Sequence, residues 1–300
     1  MGMFNNMRRV WRNRILKRSR KVGIALGGGG VRGLAHVGVL SVLEQEKIPI
    51  DYLAGSSMGA IVAAAYTLNP EYSGNRMIQL LREFDEAIPA HLKESSAEPS
   101  SFLSKLRQFI NIERFILDTI SGWSVLPEDM AKEALERLTM DKRIEEASIP
   151  IAIVTVDLLS GEKVVFREGP AAIALQASSA IPAFFPPVPY KNMLLVDGAI
   201  VDVVPADVAR DMGSDIVLGV DVGQTGPREE INNGLEAFLR AVELSGEYNK
   251  RHFLRQADLV IKPDFGETIV TFDTSKAELC IEAGIKAARQ ALPKIRKLVG

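Results

Sequence analysis

The chain has 300 residues, of which 47% are hydrophobic and 25% charged, a composition typical of a globular protein and too apolar for a disordered one. A single cysteine excludes an internal disulfide, and the lack of any run of 18 apolar residues predicts that no helix spans a bilayer. The net charge of −2 hides an asymmetry: residues 1–21 carry eight basic side chains and no acidic one, which leaves an acidic body and argues against nucleic acid as a partner.

The basic segment at the start, residues 1–20, supports two interpretations. Its apolar side chains recur at spacings of three and four, so a helix would collect them on one face: Phe4, Met7, Trp11 and Ile15. That pattern suits an anionic membrane surface, whereas the alternative is a solvated basic tail. The segment lacks the apolar core of a signal peptide, and the lone Cys280 fits a reducing compartment. We therefore expect a cytoplasmic protein, bound peripherally to the inner face of the membrane in the first interpretation.

The first ordered elements alternate between strand and helix. Residues 22–26 form a short apolar run that ends in glycines, and residues 50–54 form a second, so both are expected to be buried strands. Helical spacing follows each strand, over residues 31–46 and 58–68. This alternation predicts a parallel sheet with right-handed crossovers.

The remainder separates into a helical part and a second α/β part. Helical stretches at 76–88, 102–120 and 128–139 predict a helical insertion or cap over residues 71–140. Strands are then expected at 149–156, 163–167, 193–196, 215–220 and 258–261, with helices at 205–212, 232–256 and 275–298. We predict one α/β domain over residues 21–300, with three layers (α/β/α) and a mostly parallel central sheet. Cys280 falls in the last of these predicted helices, and its side chain is expected to lie in the hydrophobic core of the domain.

A G-x-S-x-G pentapeptide lies between the second strand and its helix, Gly55-Ser56-Ser57-Met58-Gly59. Glycines at both ends permit the sharp strand-to-helix turn that exposes a nucleophilic serine, here Ser57, at the edge of a sheet. The start of the helix stabilises negative charge that develops beside it. The alternative is a tight turn in which Ser57 only caps the helix.

The first strand runs into a glycine loop, residues 27–33, that contains G-x-G-x-x-G. Such a loop at the start of a helix offers backbone N–H groups to a developing oxyanion or to a nucleotide phosphate. A dinucleotide site expects an acidic residue at the end of the next strand, whereas Asp51 opens that strand. The serine elbow therefore favours the oxyanion role, with Arg32 holding the loop in shape or meeting a phosphate head group.

Asp197 ends the strand predicted at 193–196 and precedes Gly198. Taken alone, it is more simply interpreted as a turn-capping residue. The functional interpretation makes it the base for Ser57, because the chain has only three histidines and a carboxylate in an apolar, water-poor pocket has a raised proton affinity.

These motifs, in this order, resemble those of the patatin-like phospholipases. The glycine loop comes first, then the pentapeptide around Ser57, then Asp197-Gly198-Ala199, and the stretch 177–187 resembles the segment that precedes the aspartate in that family. The similarity runs from about Lys21 to Asp221. It leaves out residues 71–140 and the last 80, where acyl-chain or head-group selection is expected to be decided. Gly27 replaces the aspartate that plant members carry before the triple glycine, so the chain resembles the bacterial members of the family more closely.

The resemblance implies a fold, a mechanism and a substrate class. The fold is patatin-like, and the reaction uses a dyad of Ser57 as nucleophile and Asp197 as base, without a cofactor. The oxyanion hole would be formed by the amides of Gly28, Gly29 and Gly30. The residues expected to support this site are Arg32, Gly33, Gly55, Gly59 and Gly198. The substrates would be phospholipids, lysophospholipids or other acyl esters.

Other classes of function remain open. A conventional Ser–Asp–His esterase would use His252, since Ser57, Asp197 and His252 follow the order of that family, although His252 falls inside a long predicted helix. A regulatory protein would bind a nucleotide or phosphate at the glycine loop without hydrolysis. An interaction protein would be recruited to membranes by the basic segment and would have a decayed active site. His36 is expected to be structural and His91 exposed, and the sequence contains no metal-binding motif.

Overall fold

The computed structural model describes residues 20–69, 128–182, 184–224, 226, 231, 234–269, 271 and 273–300. The strands in these ranges are β1 (Val22–Leu26), β2 (Tyr52–Ser56), β3 (Ile151–Asp157), β4 (Lys163–Phe166), β5 (Val188–Tyr190), β6 (Met193–Asp197), β7 (Ile216–Val220) and β8 (Leu259–Ile261). The α-helices are α1 (Ala35–Gln45), α2 (Met58–Leu68), α3 (Glu128–Thr139), α4 (Ala171–Ser178), α5 (Ala206–Asp211), α6 (Gly234–Phe253) and α7 (Ala277–Val299). Single 3-10 turns include Gly30–Leu34 and Gly198–Ile200.

The strands form one central sheet. Their order is β5-β6-β3-β2-β1-β7-β8, with β4 also paired to β3. β1, β2, β3, β7 and β8 are parallel, while β4, β5 and β6 run antiparallel to their neighbours. Parallel sheets are covered by helices on both faces, so their strands are apolar throughout. β1 follows this rule, because all five of its residues are buried.

Successive residues of β1 point into two different cores. Val22, Ile24 and Leu26 lie in the larger core, to which α1, α2, α4 and α7 contribute. Ala25 lies in the smaller core with α5. Since side chains alternate between the faces of a strand, helices flank the sheet on both sides. The predicted α/β fold is therefore confirmed.

Two strands share one side of β3. Val154 pairs with Ser56 of β2, and the next residue, Thr155, pairs with Asp197 of β6, while β4 occupies the other side of both. β6 thus takes over along β3 at the point where β2 ends. Because β2 is parallel and β6 antiparallel to β3, their carboxyl ends meet head to head. This junction brings Ser57, the residue after β2, close to Asp197.

Most elements lie within three residues of their predicted bounds, and the helices at 58–68 and 128–139 match. α1 begins later than predicted because residues 30–34 form a 3-10 turn, and β2 is shifted by two residues toward Ser57. Two elements were not predicted. α4 has six buried residues out of eight, so it lacks the polar face that produces helical periodicity. β5 has three residues, one of which is Pro189.

Residues 1–19 of the basic segment and residues 70–127 of the predicted insertion lie outside the described residues, and so does His91. Within the described residues, no helix is both long and apolar enough to cross a membrane. Cys280 is buried in the core, as predicted.

Candidate active site

Ser57 occupies a strained turn between β2 and α2. Its backbone has φ 53° and ψ −128°, a conformation that side chains with a Cβ rarely adopt and that costs about 1–3 kcal/mol. The flanking glycines are required by close packing. A Cβ on Gly55 would lie 2.5 Å from the backbone of Ala60, and one on Gly59 would lie 2.1 Å from the carbonyl oxygen of Leu26. The pentapeptide therefore forms the sharp elbow that its sequence predicts.

The backbone of Ser57 caps α2, whereas its side chain does not. The Ser57 carbonyl accepts the N–H groups of Ala60 and Ile61 at 2.9 and 3.2 Å, and no hydrogen bond joins its hydroxyl to the start of the helix. Ser57 is thus the N-cap residue of α2, but its side chain makes no capping hydrogen bond. The Ser57 hydroxyl instead lies close enough to the Asp197 carboxylate to lower the pKa of that group.

Asp197 is buried at the end of β6, with 3% of its surface exposed. Its Oδ1 atom accepts the N–H of Ala199 at 2.8 Å and so caps the 3-10 turn that follows. Burial raises the pKa of Asp197 from 3.8 to about 6, while the hydrogen bond from the Ala199 N–H and the nearby Ser57 hydroxyl oppose this rise. At neutral pH the carboxylate is thus ionised and is a stronger base than an exposed aspartate.

The glycine loop lies against both residues. A Cβ on Gly28 would lie 2.7 Å from Cβ of Ala199 and 3.2 Å from Cβ of Ser57, so any side chain at this position would collide with Ala199 and crowd Ser57. The Gly28 N–H donates to the Val203 carbonyl at 2.9 Å and is already engaged.

Gly29 and Gly30 differ from Gly28 in their hydrogen bonding. Within the described part of the chain, the N–H groups of Gly29 and Gly30 donate to no backbone acceptor. Gly30 has φ +57°, which glycine adopts without strain. Of the three loop amides, Gly28 alone therefore has a backbone acceptor among the described residues.

The supporting residues fix the shape of the loop and of the turn after Asp197. Arg32 donates from Nε to the Gly29 carbonyl at 3.2 Å, which fits its predicted role of holding the loop. A Cβ on Gly33 would lie 2.5 Å from the Met58 side chain, and one on Gly198 would lie 2.3 Å from the Val154 carbonyl. Side chains at these positions would displace the elbow or β6.

An ion pair between Lys163 and Asp202 also holds the turn that follows Asp197. Asp202 is fully buried, donates its N–H to the Gly198 carbonyl at 2.9 Å and accepts from Lys163 Nζ at 3.0 Å. Lys163 Nζ also lies 2.6 Å from Asp207. Burial, together with the charge of Asp207, raises the pKa of Asp202. The sequence does not reveal this cluster, because its members are spaced like ordinary surface charges.

The contacts of His36, His252 and Asp51 are with groups other than Ser57 and Asp197. His36 is fully buried, and its Nε2 atom lies 2.7 Å from the Gly27 carbonyl. Loss of solvation lowers the pKa of His36 to about 4, so it is neutral and donates to that carbonyl. His252 is exposed on α6 with its ring against Phe253. Asp51 accepts the N–H of Val22 at 2.8 Å, at the end of β1 opposite to the glycine loop.

Two further residues near the site, Ser178 and Ala180, are not predicted from the sequence. The Ser178 hydroxyl accepts the N–H of Ser57 at 3.0 Å, and the Ala180 carbonyl accepts the N–H of Asp197 at 3.1 Å. Both lie in the stretch 177–187 that resembles the family, but the sequence indicates no role for either residue. Among the described residues, no group of three or more potential metal ligands occurs.

The sequence matches the family model for patatin-like phospholipases over residues 24–210. Patatin-like phospholipase domain-containing protein 6 of Mus musculus is 31% identical over 205 residues, which make up 67% of this chain and 13% of that protein. An uncharacterized NTE family protein of Mycobacterium bovis is 30% identical over 221 residues, or 73% of this chain and 54% of that protein. The chain thus spans a small part of the animal relative.

Human GIVD cytosolic phospholipase A2 has a similar fold. It superimposes with a TM-score of 0.50 at 15% sequence identity, covering 97% of this chain and 62% of that one.

Proposed function

Because this chain belongs to the patatin-like phospholipase family, we propose that it hydrolyses acyl esters of lipids, with Ser57 as nucleophile and Asp197 as general base. The observation that carries the proposal is the contact of the Ser57 hydroxyl, on a strained elbow, with a buried carboxylate whose pKa is raised to about 6. A nucleophile within reach of a base of suitable pKa is the arrangement that acyl transfer requires.

The first half of the reaction forms an acyl-enzyme. Asp197 accepts the Ser57 proton as Ser57 Oγ attacks the ester carbonyl, and a tetrahedral intermediate with an oxyanion results. The N–H groups of Gly29 and Gly30 are the donors that we assign to the oxyanion, since the Gly28 N–H is bound to Val203. The protonated Asp197 then transfers its proton to the leaving alcohol.

The second half regenerates the enzyme. Water gives a proton to Asp197 and attacks the acyl group on Ser57, and the proton returns to Ser57 Oγ as the carboxylic acid leaves. The raised pKa of Asp197 serves both halves, because the group is ionised at neutral pH and yet takes up a proton more readily than an exposed aspartate.

The substrates that we infer are phospholipids, lysophospholipids or neutral acyl esters, as the family suggests. We further propose that the basic segment 1–20 brings the protein to anionic membranes. Deleting residues 1–19 should weaken binding to vesicles rich in phosphatidylserine while leaving hydrolysis of a water-soluble ester intact. Unchanged vesicle binding would remove the membrane role.

The catalytic proposal is tested with a short-chain p-nitrophenyl ester. Ser57→Ala and Asp197→Asn should each lose activity, whereas His252→Ala should remain active, provided that each variant is folded by circular dichroism. Loss of activity in His252→Ala would support a Ser–Asp–His esterase instead. If the wild type hydrolyses neither this ester nor a panel of phospholipids and lysophospholipids, a binding function of the glycine loop replaces the proposal.

A further inference from the structure

The segment from Ser178 to Ala180 contacts both members of the proposed dyad through their backbones. Ser178 Oγ accepts the N–H of Ser57 at 3.0 Å, and the Ala180 carbonyl accepts the N–H of Asp197 at 3.1 Å. Ser178 is the last residue of α4 and is completely buried, and Ala180 is 1% exposed. Three consecutive residues of a single segment therefore span the gap between nucleophile and base.

The direction of the Ser178 hydrogen bonds is fixed by its second partner. Ser178 has one hydroxyl proton, and it donates this proton to the Val154 carbonyl at 2.7 Å. The same oxygen must therefore accept the hydrogen bond from the Ser57 N–H, at 3.0 Å, through one of its lone pairs. The hydroxyl thus links the elbow to β3 in one orientation only.

The position of this link follows from the sheet. Val154 is the β3 partner of Ser56, the last residue of β2, and Thr155 already pairs with Asp197 of β6. Ser57 therefore turns out of the ladder at the junction of the two strands, where its N–H has lost a strand partner. Buried N–H groups require an acceptor, and the Ser178 hydroxyl supplies it.

The neighbouring serine shows that such a link is not a general property of the end of α4. Ser179 Oγ donates to the Leu175 carbonyl of its own helix at 2.7 Å, a common local bond for serine. Ser178 instead bonds residues 24 and 121 positions away in sequence. A serine with only a packing role would need neither distant partner.

We propose that Ser178 is a positioning residue that holds the strained Ser57 elbow against β3 and, through the short segment to Ala180, in register with Asp197. The proposal rests on the function assigned above. Without the hydroxyl, the buried N–H of Ser57 and the carbonyl of Val154 both lack their partner, and the elbow can relax away from the base.

The test uses three variants with wild type and Ser57→Ala as references. Ser178→Ala removes the hydroxyl, Ser178→Thr retains it, and Ser179→Ala is the matched control that loses only the local bond. Two readouts are measured well below the unfolding temperature. They are kcat and KM for a p-nitrophenyl ester, and the rate at which a fluorophosphonate labels Ser57.

We expect kcat of Ser178→Ala to fall about ten- to a hundredfold, as the loss of a buried hydrogen bond implies, with KM changed less than about twofold. The labelling rate should fall in parallel, because positioning affects attack by Ser57 and not substrate binding. Ser178→Thr should recover most of kcat, and Ser179→Ala should resemble wild type. If Ser178→Ala is too unstable to assay, Ser178→Cys, which nearly keeps the volume, takes its place.

Wild-type kcat in Ser178→Ala, or equal losses in folded Ser178→Thr and Ser178→Ala, would overturn the positioning role. A parallel loss in Ser179→Ala would also overturn it, since the effect would then come from the helix end. Failure of the proposed function gives a different result: Ser57→Ala would keep the activity of wild type, whatever Ser178 does.

Discussion

Replacing Asp197 with asparagine should stabilise the folded protein at neutral pH while abolishing hydrolysis. Burial raises the pKa of Asp197 from 3.8 to about 6, so the fold favours the protonated carboxyl over the carboxylate. A carboxyl whose pKa is raised by folding destabilises the fold at any pH above its folded pKa, and this penalty disappears as pH falls below the unfolded value. Asparagine carries no charge and avoids the penalty.

The magnitude follows from the size of the pKa change. A rise from 3.8 to about 6 corresponds to about 3 kcal/mol, at 1.36 kcal/mol for each pH unit. The amide oxygen of asparagine can still accept the N–H of Ala199. We therefore expect the free energy of unfolding of Asp197→Asn to exceed that of wild type by as much as about 3 kcal/mol at pH 8. The difference should shrink between pH 6 and pH 4 and vanish below.

Urea unfolding of wild type and variant at unit steps from pH 4 to pH 8 measures this difference. Asp157→Asn is a control of opposite sign. Hydrogen bonds from the Ser160 side chain and the Leu194 N–H lower the pKa of Asp157, so its charge stabilises the fold above its unfolded pKa and its loss should destabilise at pH 7. An Asp197→Asn protein that is less stable than wild type at pH 8, or a difference that does not depend on pH, would refute the reasoning.

Three further outcomes are expected. The kcat/KM for a neutral ester should fall about tenfold for each pH unit below about 6, because the base with that pKa must be ionised, and a profile without this limb would exclude Asp197 as the base. Gly59→Ala should prevent folding or destabilise by several kcal/mol, since its Cβ would lie 2.1 Å from the backbone of β1, whereas Gly226→Ala, with nothing within 4 Å, should have little effect on urea unfolding. Lys250→Ala should destabilise by about 3 kcal/mol in the same measurement, because it removes the cation 3.0 Å from the buried Asp221 carboxylate and leaves the more distant Lys262 at 3.9 Å; stability equal to wild type would mean that Lys262 and the Gly223 N–H satisfy Asp221.

Helices and strands were predictable where glycines or turn residues mark their ends in the sequence. Helix 58–68 follows a glycine-flanked serine and was predicted to the residue, and β1 ends at the first glycine of the loop. In these cases the hydrophobic run and the turn residues that define the element lie within about ten residues of one another. The proximity of Ser57 and Asp197 was a different matter. That proximity was predicted from the resemblance of the ordered motifs to a family. Spacing in the sequence does not show that two residues 140 positions apart lie close together in the fold.

The junction that joins them could not be predicted from the sequence. It depends on β6 reversing direction and continuing along β3 where β2 stops, and hydrophobic runs do not reveal strand order or direction. The role of Ser178 was hidden for the same reason, because its partners lie 24 and 121 residues away. The division of the glycine amides into one with a backbone acceptor among the described residues and two without likewise depends on Val203, a residue with no motif of its own.

Burial at the site affects acid stability through two groups of opposite sign. Asp197 takes up a proton on folding between pH 4 and 6, whereas His36, whose pKa is lowered from 6.5 to about 4, resists protonation in the fold. Acidification through this range therefore stabilises the fold at Asp197 and destabilises it at His36, by about 3 kcal/mol each, and the two effects nearly cancel. Asp197→Asn removes only the stabilising effect. Its stability should consequently fall more steeply than that of wild type between pH 6.5 and pH 4, and adding His36→Gln should flatten the curve again if His36 is the opposing group.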